Sequence, residues 1–199
     1  SRSALATLRP LNAYGWSKHL FDRWVARTVG AGRDAPPHYA GLKFFNVYGP
    51  NEYHKGGQIS VALKNFREIA AGQPAVLFRS HNPDYGDGGQ MRDFVWVGDC
   101  VEAMIWLSQT PSATGLFNLG TGEARSFADL ANAVFNGLGK NPEITYVDTP
   151  AAIRDKYQYF TQARMDRLRA AGYPRLFTSL EDGVKRYVGE FLTSDDPYI

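Results

Sequence analysis

From Ala13 to about Val29 apolar residues recur at spacings of three and four, with Tyr14, Phe21, Val25 and Val29 near one stripe. That spacing predicts an amphipathic helix, ended by Gly30-Ala31-Gly32 and Pro36-Pro37. Residues 1–11 read as a loop. The apolar run over residues 40–48, stopped by Gly49-Pro50, predicts one buried strand. A second helix is expected from Ser60 to Ala71, a strand at Val76-Leu77-Phe78, and an exposed loop from Ser80 to Gln90, rich in Asn, Pro, Asp and Gly. Phe94 to Val97 predicts a strand, residues 99–107 a helix, and Leu116 to Leu119 a strand ending in Gly120-Thr121-Gly122. Ser126 and Asp129 have the spacing of a helix cap, for a helix running to Leu138. A strand over residues 144–147 and two helices, near 162–171 and 180–192, close the pattern. Strand and helix alternate, which predicts an α/β fold with a largely parallel sheet.

Composition bounds this picture without changing it. The 199 residues suit one domain or one and a half, and 44% hydrophobic with 14% aromatic residues supply a real core. Lys plus Arg number 22 against 20 Asp plus Glu, a net charge of +2, so bulk electrostatics argue for no nucleic-acid partner. No apolar run approaches the roughly 18–20 residues of a spanning helix, so no membrane partner is expected. The opening residues do not form a signal peptide. The single cysteine, Cys100, excludes an internal disulfide framework and points to a reducing, cytoplasmic setting.

Candidate chemistry centres on Tyr14-Gly15-Trp16-Ser17-Lys18. On a helix, Tyr14 and Lys18 leave the same face one turn apart. A free phenol titrates near about 10, and a nearby ammonium favours the phenolate, so such a pair suits proton abstraction from an alcohol. Spacing alone equally fits a half-buried tyrosine beside a solvated lysine. Gly120-Thr121-Gly122 lacks a third glycine and reads as an ordinary strand-to-helix connection. His19, His38, His54 and His81 show no metal-ligand spacing, so no metal site is expected. Cys100 reads as a packed apolar residue, and Arg164, Arg167 and Arg169 as a solvated helix face.

The neighbouring words change the weight on Tyr14 and Lys18. Leu11-Asn12-Ala13-Tyr14-Gly15-Trp16-Ser17-Lys18, Phe44-Phe45-Asn46-Val47-Tyr48-Gly49-Pro50, Met91-Arg92-Asp93-Phe94-Val95-Trp96-Val97-Gly98-Asp99 and Phe117-Asn118-Leu119-Gly120-Thr121-Gly122 follow in this order. Together they resemble the extended short-chain dehydrogenase/reductases, the family of nucleotide-sugar epimerases and dehydratases. Asn51-Glu52-Tyr53-His54-Lys55-Gly56, the stretch from Asp155 to Ala163, and Leu168 to Tyr173 resemble the subfamily of ADP-heptose 6-epimerases.

The resemblance implies the C-terminal part of a Rossmann-type, doubly wound parallel sheet with an interleaved small α/β substrate-binding domain. Residues 1–50 would end the nucleotide-binding domain, 51–93 bind substrate, 94–125 return to the sheet, and 126–199 belong mainly to the substrate domain. It implies NADP-dependent epimerisation at C6″ of ADP-D-glycero-D-manno-heptose, through transient oxidation to a ketone, in the making of the lipopolysaccharide core. Another nucleotide-sugar epimerase, a 4,6-dehydratase and a silent scaffold of the same fold remain alternatives. Tyr14 and Lys55 would be the two acid/base groups, one for each face of the ketone, where Lys55 taken alone reads as a solvated loop lysine. Lys18 would hold the nicotinamide ribose, and Asn46 and Val47 line the nicotinamide and sugar. Gly57, Lys64, Phe78, Arg79, Ser80, His81, Arg92 and Tyr157 would bind the ADP-sugar. Arg92 has the strongest physical case, since a guanidinium forks onto a pyrophosphate, and its bland alternative is a surface arginine paired with Asp93 or another carboxylate. Two departures stand out: the glycine-rich cofactor turn is expected upstream, in a missing N-terminal part of the same polypeptide, and the 79–90 loop is longer than the family's. A homo-oligomer is also expected.

Overall fold

A computed structural model describes residues 2–32 and 35–198 of the chain. Helix α1 spans Arg2–Thr7, where the sequence pattern predicts a loop. Its Ala-Leu-Ala run is a strong helix former, too short for periodicity to register. Helix α2 spans Ala13–Gly30, and the Asn12 side chain caps it by accepting from the Gly15 N–H. Its buried residues are His19 and Asp22, not the predicted stripe: Tyr14 and Phe21 are 73% and 63% exposed. The polar side faces inward because Asp22 pairs with Lys43.

Lys43 lies on β1 (Ala40–Phe44), which runs parallel to β6 (Gly115–Leu119). The expected strand over 40–48 is two strands. At Phe45 the backbone changes partners: its N–H donates to Leu119 O, whereas the next N–H, of Asn46, donates to Asp93 O. Strand β2 (Asn46–Tyr48) then runs parallel to β5 (Phe94–Trp96). Strand β3 (Ala75–Phe78) pairs parallel with β8 (Ile144–Val147). The short β4 (Met91–Arg92) pairs antiparallel with β7 (Arg125–Ser126). Parallel pairing thus dominates, as the alternating pattern predicts.

Helix α3 (Val61–Ala70) is capped by Ser60, and α4 (Val97–Ser108) follows β5 directly. Helix α5 (Phe127–Gly137) opens with the predicted capping box of Ser126 and Asp129. The remaining helices are α6 (Ala151–Arg154), α7 (Asp166–Ala170) and α8 (Leu180–Arg186), the last continued by π-helical turns over Tyr187–Leu192. Helix α7 is shorter than the predicted 162–171 because the preceding backbone is engaged elsewhere. The Ala163 N–H donates to Asp93, and the Arg164 carbonyl accepts from the Asn118 side chain.

Among the described residues two apolar clusters form the interior. One joins β2, β5, α3, α5 and α8 through Tyr48, Leu63, Phe94, Leu130, Val184 and Tyr187. The other joins β6 and α4 to residues 163–173 through Leu107, Phe117, Leu119, Met165 and Leu168. Cys100 is buried, as expected, and burial pushes its thiol up to about 12. Among the described residues no helix is long and apolar enough to cross a membrane.

Between the clusters lies Asp93, with no solvent exposure. Its Oδ1 accepts from the Thr121 N–H and hydroxyl, and its Oδ2 from the N–H groups of Gly122 and Ala163. A Cβ at position 120 would lie 2.7 Å from Asp93 Oδ2, so the turn after β6 needs glycine there. The Gly120-Thr121-Gly122 turn, expected to lead from strand to helix, instead leads from β6 into the short β7 before α5, wrapped around a buried carboxylate.

Candidate active site

Tyr14 and Lys18 stand one turn apart on α2, with Lys18 Nζ 5.2 Å from the centroid of the Tyr14 ring. Tyr14 opens onto a cleft of about 530 Å³ whose walls also hold Asn12, Arg92, Lys156 and Tyr157. Arg92 comes from β4, between two rings: its guanidinium carbon lies 5.3 Å from the Tyr157 centroid and 5.6 Å from that of Phe127. Its Nη1 donates to the Met91 carbonyl at 2.8 Å. The surface pair with Asp93 does not form, because the Asp93 carboxylate is filled by Thr121, Gly122 and Ala163. Burial lowers the Arg92 pKa, and the Tyr157 hydroxyl beside it acts the opposite way. The guanidinium still stays charged, as arginine does throughout proteins. The Tyr157 phenol is pushed up, mainly by burial, so it stays protonated as a donor.

Tyr157 also belongs to a second cleft, of about 260 Å³, with Lys64, Phe78, Gln90 and Phe127. Phe78 meets the Tyr157 ring edge-on, with centroids 6.1 Å apart and planes at 82°. Lys64 Nζ donates to the Val76 carbonyl and pairs with Glu68. One tyrosine is therefore a shared wall between a cationic cleft that reaches Tyr14 and a smaller aromatic one.

Of the residues singled out in the sequence, Tyr14, Arg92 and Tyr157 meet in the first cleft, and Lys64, Phe78 and Tyr157 in the second. Lys18, Asn46, Val47, Lys55, Gly57, Arg79, Ser80 and His81 line neither. Asn46 and Val47 lie on β2. Lys55 and Gly57 lie on an exposed 3-10 turn, Tyr53–Gln58. Arg79, Ser80 and His81 follow β3, where the loop is folded on itself. Ser80 N donates to Asp87, Ser80 Oγ to the Asn82 carbonyl, and His81 N to the Tyr159 hydroxyl. Arg79 faces Asp148 across 3.8 Å on the surface.

Sequence reasoning missed Gln90, Phe127 and Lys156. Gln90 is buried, and its Nε2 donates to the carbonyls of Phe78 and Arg79. It thereby holds the end of β3 against the long loop. A polar residue closing a glycine-rich loop carries no periodic signal, and only the fold reveals its partners.

The family described as the NAD dependent epimerase/dehydratase family matches residues 1–120 of this chain. The chain belongs to that family. An ADP-L-glycero-D-manno-heptose-6-epimerase of Nitratidesulfovibrio vulgaris is 53% identical over 198 residues, which cover 99% of this chain and 59% of the relative. One of the same name from Fusobacterium nucleatum is 40% identical over 205 residues, covering all of this chain and 60% of the relative. The chain thus spans about three-fifths of the length of these curated relatives.

Solved structures of the family agree on the fold. The Helicobacter pylori ADP-L-glycero-D-manno-heptose-6-epimerase superposes with a TM-score of 0.72 at 28% identity, over 92% of this chain and 52% of that one. A Thermus thermophilus UDP-glucose 4-epimerase, solved with NAD, gives 0.73 at 26% identity, over 94% and 56%. The fold is accordingly Rossmann-type α/β, as in other family members.

Proposed function

We propose that the whole protein epimerises ADP-D-glycero-D-manno-heptose at C6″ to the L-glycero form, a step that supplies heptose for the lipopolysaccharide core in the cytoplasm. The observation that carries this reading is a pair of clefts that share Tyr157 as a wall, one joining Tyr14 to Arg92 and the other holding Phe78 and Lys64. A nucleotide sugar is an anionic centre with a sugar on one side and a planar base on the other. The two clefts together offer a phenol and a guanidinium on one side of Tyr157 and an aromatic wall on the other. The names of the relatives supply the sugar and the nucleotide.

Tyr14, as the phenolate that the Lys18 ammonium favours, accepts the proton of the C6″ hydroxyl. Return of hydrogen to the opposite face needs a second proton donor, and Lys55 fills that role. Arg92 forks onto the diphosphate. Phe78 and Tyr157 pack the adenine, with Gly57, Lys64, Arg79, Ser80 and His81 around the ADP. NADP is the cofactor. The donor set fits it, since Tyr14 and Lys18 present a phenol and an ammonium from one exposed helix face, and Lys18 would hold the nicotinamide ribose while Asn46 and Val47 line the ring. When bound it supplies reversible hydride removal at C6″. Residues 51–93 and most of 126–199 form the substrate-binding part around the sheet, and the active assembly is a homo-oligomer.

The test is a substrate panel. ADP-D-glycero-D-manno-heptose, UDP-glucose and dTDP-glucose are given to the whole protein with NADP⁺ and resolved by chromatography. Conversion of the ADP-heptose alone is expected, whereas turnover of either other sugar in its place would replace this reading with a different epimerase or a dehydratase.

A further inference from the structure

Within residues 51–58 only Glu52 is buried, at 3% exposure, while Lys55 three residues later stands in solvent. A carboxylate is costly to bury unless its oxygens are satisfied, and here three donors satisfy them. Oε1 accepts from the hydroxyls of Ser60 at 2.6 Å and Tyr187 at 3.0 Å, and Oε2 accepts from the Ser60 N–H at 2.5 Å. Both anchors are rigid. Ser60 is the cap of α3, its hydroxyl also accepting from the Leu63 N–H, and Tyr187 is fully buried in the larger core. Burial pushes the Tyr187 phenol up, and the Glu52 charge adds to this, so the hydroxyl remains a donor.

The Tyr53–Gln58 turn hangs from this point. The Lys55 N–H donates to the Glu52 carbonyl at 3.1 Å. Backbone φ is positive just before the turn at Asn51 (67°) and within it at Gly56 (56°), where the chain kinks. The Tyr53 hydroxyl donates to the Pro197 carbonyl. A buried charge is a poor choice for stability alone. It does fix direction, because three donors converge on it from two separate elements.

We propose that Glu52 is a positioning residue for Lys55, its carboxylate pinning the Tyr53–Gln58 turn to Ser60 and Tyr187 so that the Lys55 ammonium meets the substrate face opposite Tyr14. The proposal rests on the acid/base reading of Lys55. It assigns Glu52 no contact with substrate.

The experiment measures kcat and KM for C6″ epimerisation by the whole protein carrying Glu52→Ala, Glu52→Gln, Lys55→Met, or Lys55→Met with either Glu52 change. A displaced acid/base group costs about 10²-fold, so Glu52→Ala is expected to lower kcat by about that factor with KM changed less than about 3-fold. Glu52→Gln, which keeps an acceptor oxygen, should recover part of the loss. Because Glu52 acts through Lys55, adding either Glu52 change to Lys55→Met should slow the enzyme no further. Should Glu52→Ala not fold, Glu52→Gln and its double variant decide the matter alone. Wild-type kcat in folded Glu52 variants alongside a crippled Lys55→Met would overturn the proposal and leave the Lys55 reading standing. Multiplicative losses in the double variants would overturn it too, as a general structural role. Full epimerisation by Lys55→Met would remove both readings together.

Discussion

The Asp93 carboxylate holds Thr121 twice, accepting its backbone N–H at 2.7 Å and its hydroxyl at 2.8 Å from one oxygen. The other oxygen takes the N–H groups of Gly122 and Ala163. One side chain thus ties the turn after β6 and the segment before α7 to the strand region that carries Arg92. Arg92 can then lie between Tyr157 and Phe127, because its neighbour carries the structural load. Asp93→Ala leaves the buried Ala163 N–H and the partly buried N–H groups of Thr121 and Gly122 without this acceptor, and is expected to cost about 3 kcal/mol. Urea unfolding would check this, and a loss below about 1 kcal/mol would contradict it.

Arg92 itself lines the cleft that reaches Tyr14, and its replacement should affect binding more than stability. Arg92→Lys keeps the charge but loses the fork and the flat packing against Tyr157. We expect KM for the nucleotide sugar to rise about 10-fold with a smaller change in kcat, the signature of binding shared by ground and transition states. An unchanged KM would move the diphosphate elsewhere in the cleft.

Arg125 of β7 grips Glu181 of α8 with two hydrogen bonds, 2.6 and 3.1 Å. That grip lowers the Glu181 carboxyl from its ordinary value of 4.5, against a smaller effect of burial. A carboxyl depressed in the folded state stabilises fully above its unfolded pKa, and the benefit is lost as pH falls through the folded one. Glu181→Gln should therefore lower Tm at pH 7, and the gap to wild type should close as pH drops below about 4.5. The pair is partly exposed, so the effect stays below about 1 kcal/mol. A gap independent of pH would show that packing, not charge, joins β7 to α8.

The alternation of strands and helices, the capping box at Ser126 and the glycine turn at 120–122 were legible in the sequence because each is a local pattern. The break at Phe45 was not, since it arises where the backbone leaves Leu119 for Asp93, two partners far away in the chain. Nor was the inward turn of His19 and Asp22, which depends on Lys43 across the gap to β1. Tyr14, Arg92 and Tyr157 were singled out by motif, and their meeting in one cleft is a property of the fold alone. Gln90 lies outside the motifs, and Glu52 lies inside one that assigns it no role. Their roles follow from buried oxygens and nitrogens that must find partners.

In the proposed reaction hydrogen leaves and returns at C6″ of one ADP-heptose molecule, with Tyr14 handling the hydroxyl proton. The most direct measurement is proton NMR of ADP-D-glycero-D-manno-heptose incubated in D₂O with the whole protein and catalytic NADP⁺. Both epimers should appear with the C6″ hydrogen retained, and Tyr14→Phe should slow their interconversion by at least about 10²-fold. Deuterium at C6″ in the product, or interconversion at the wild-type rate without the Tyr14 hydroxyl, would contradict the account.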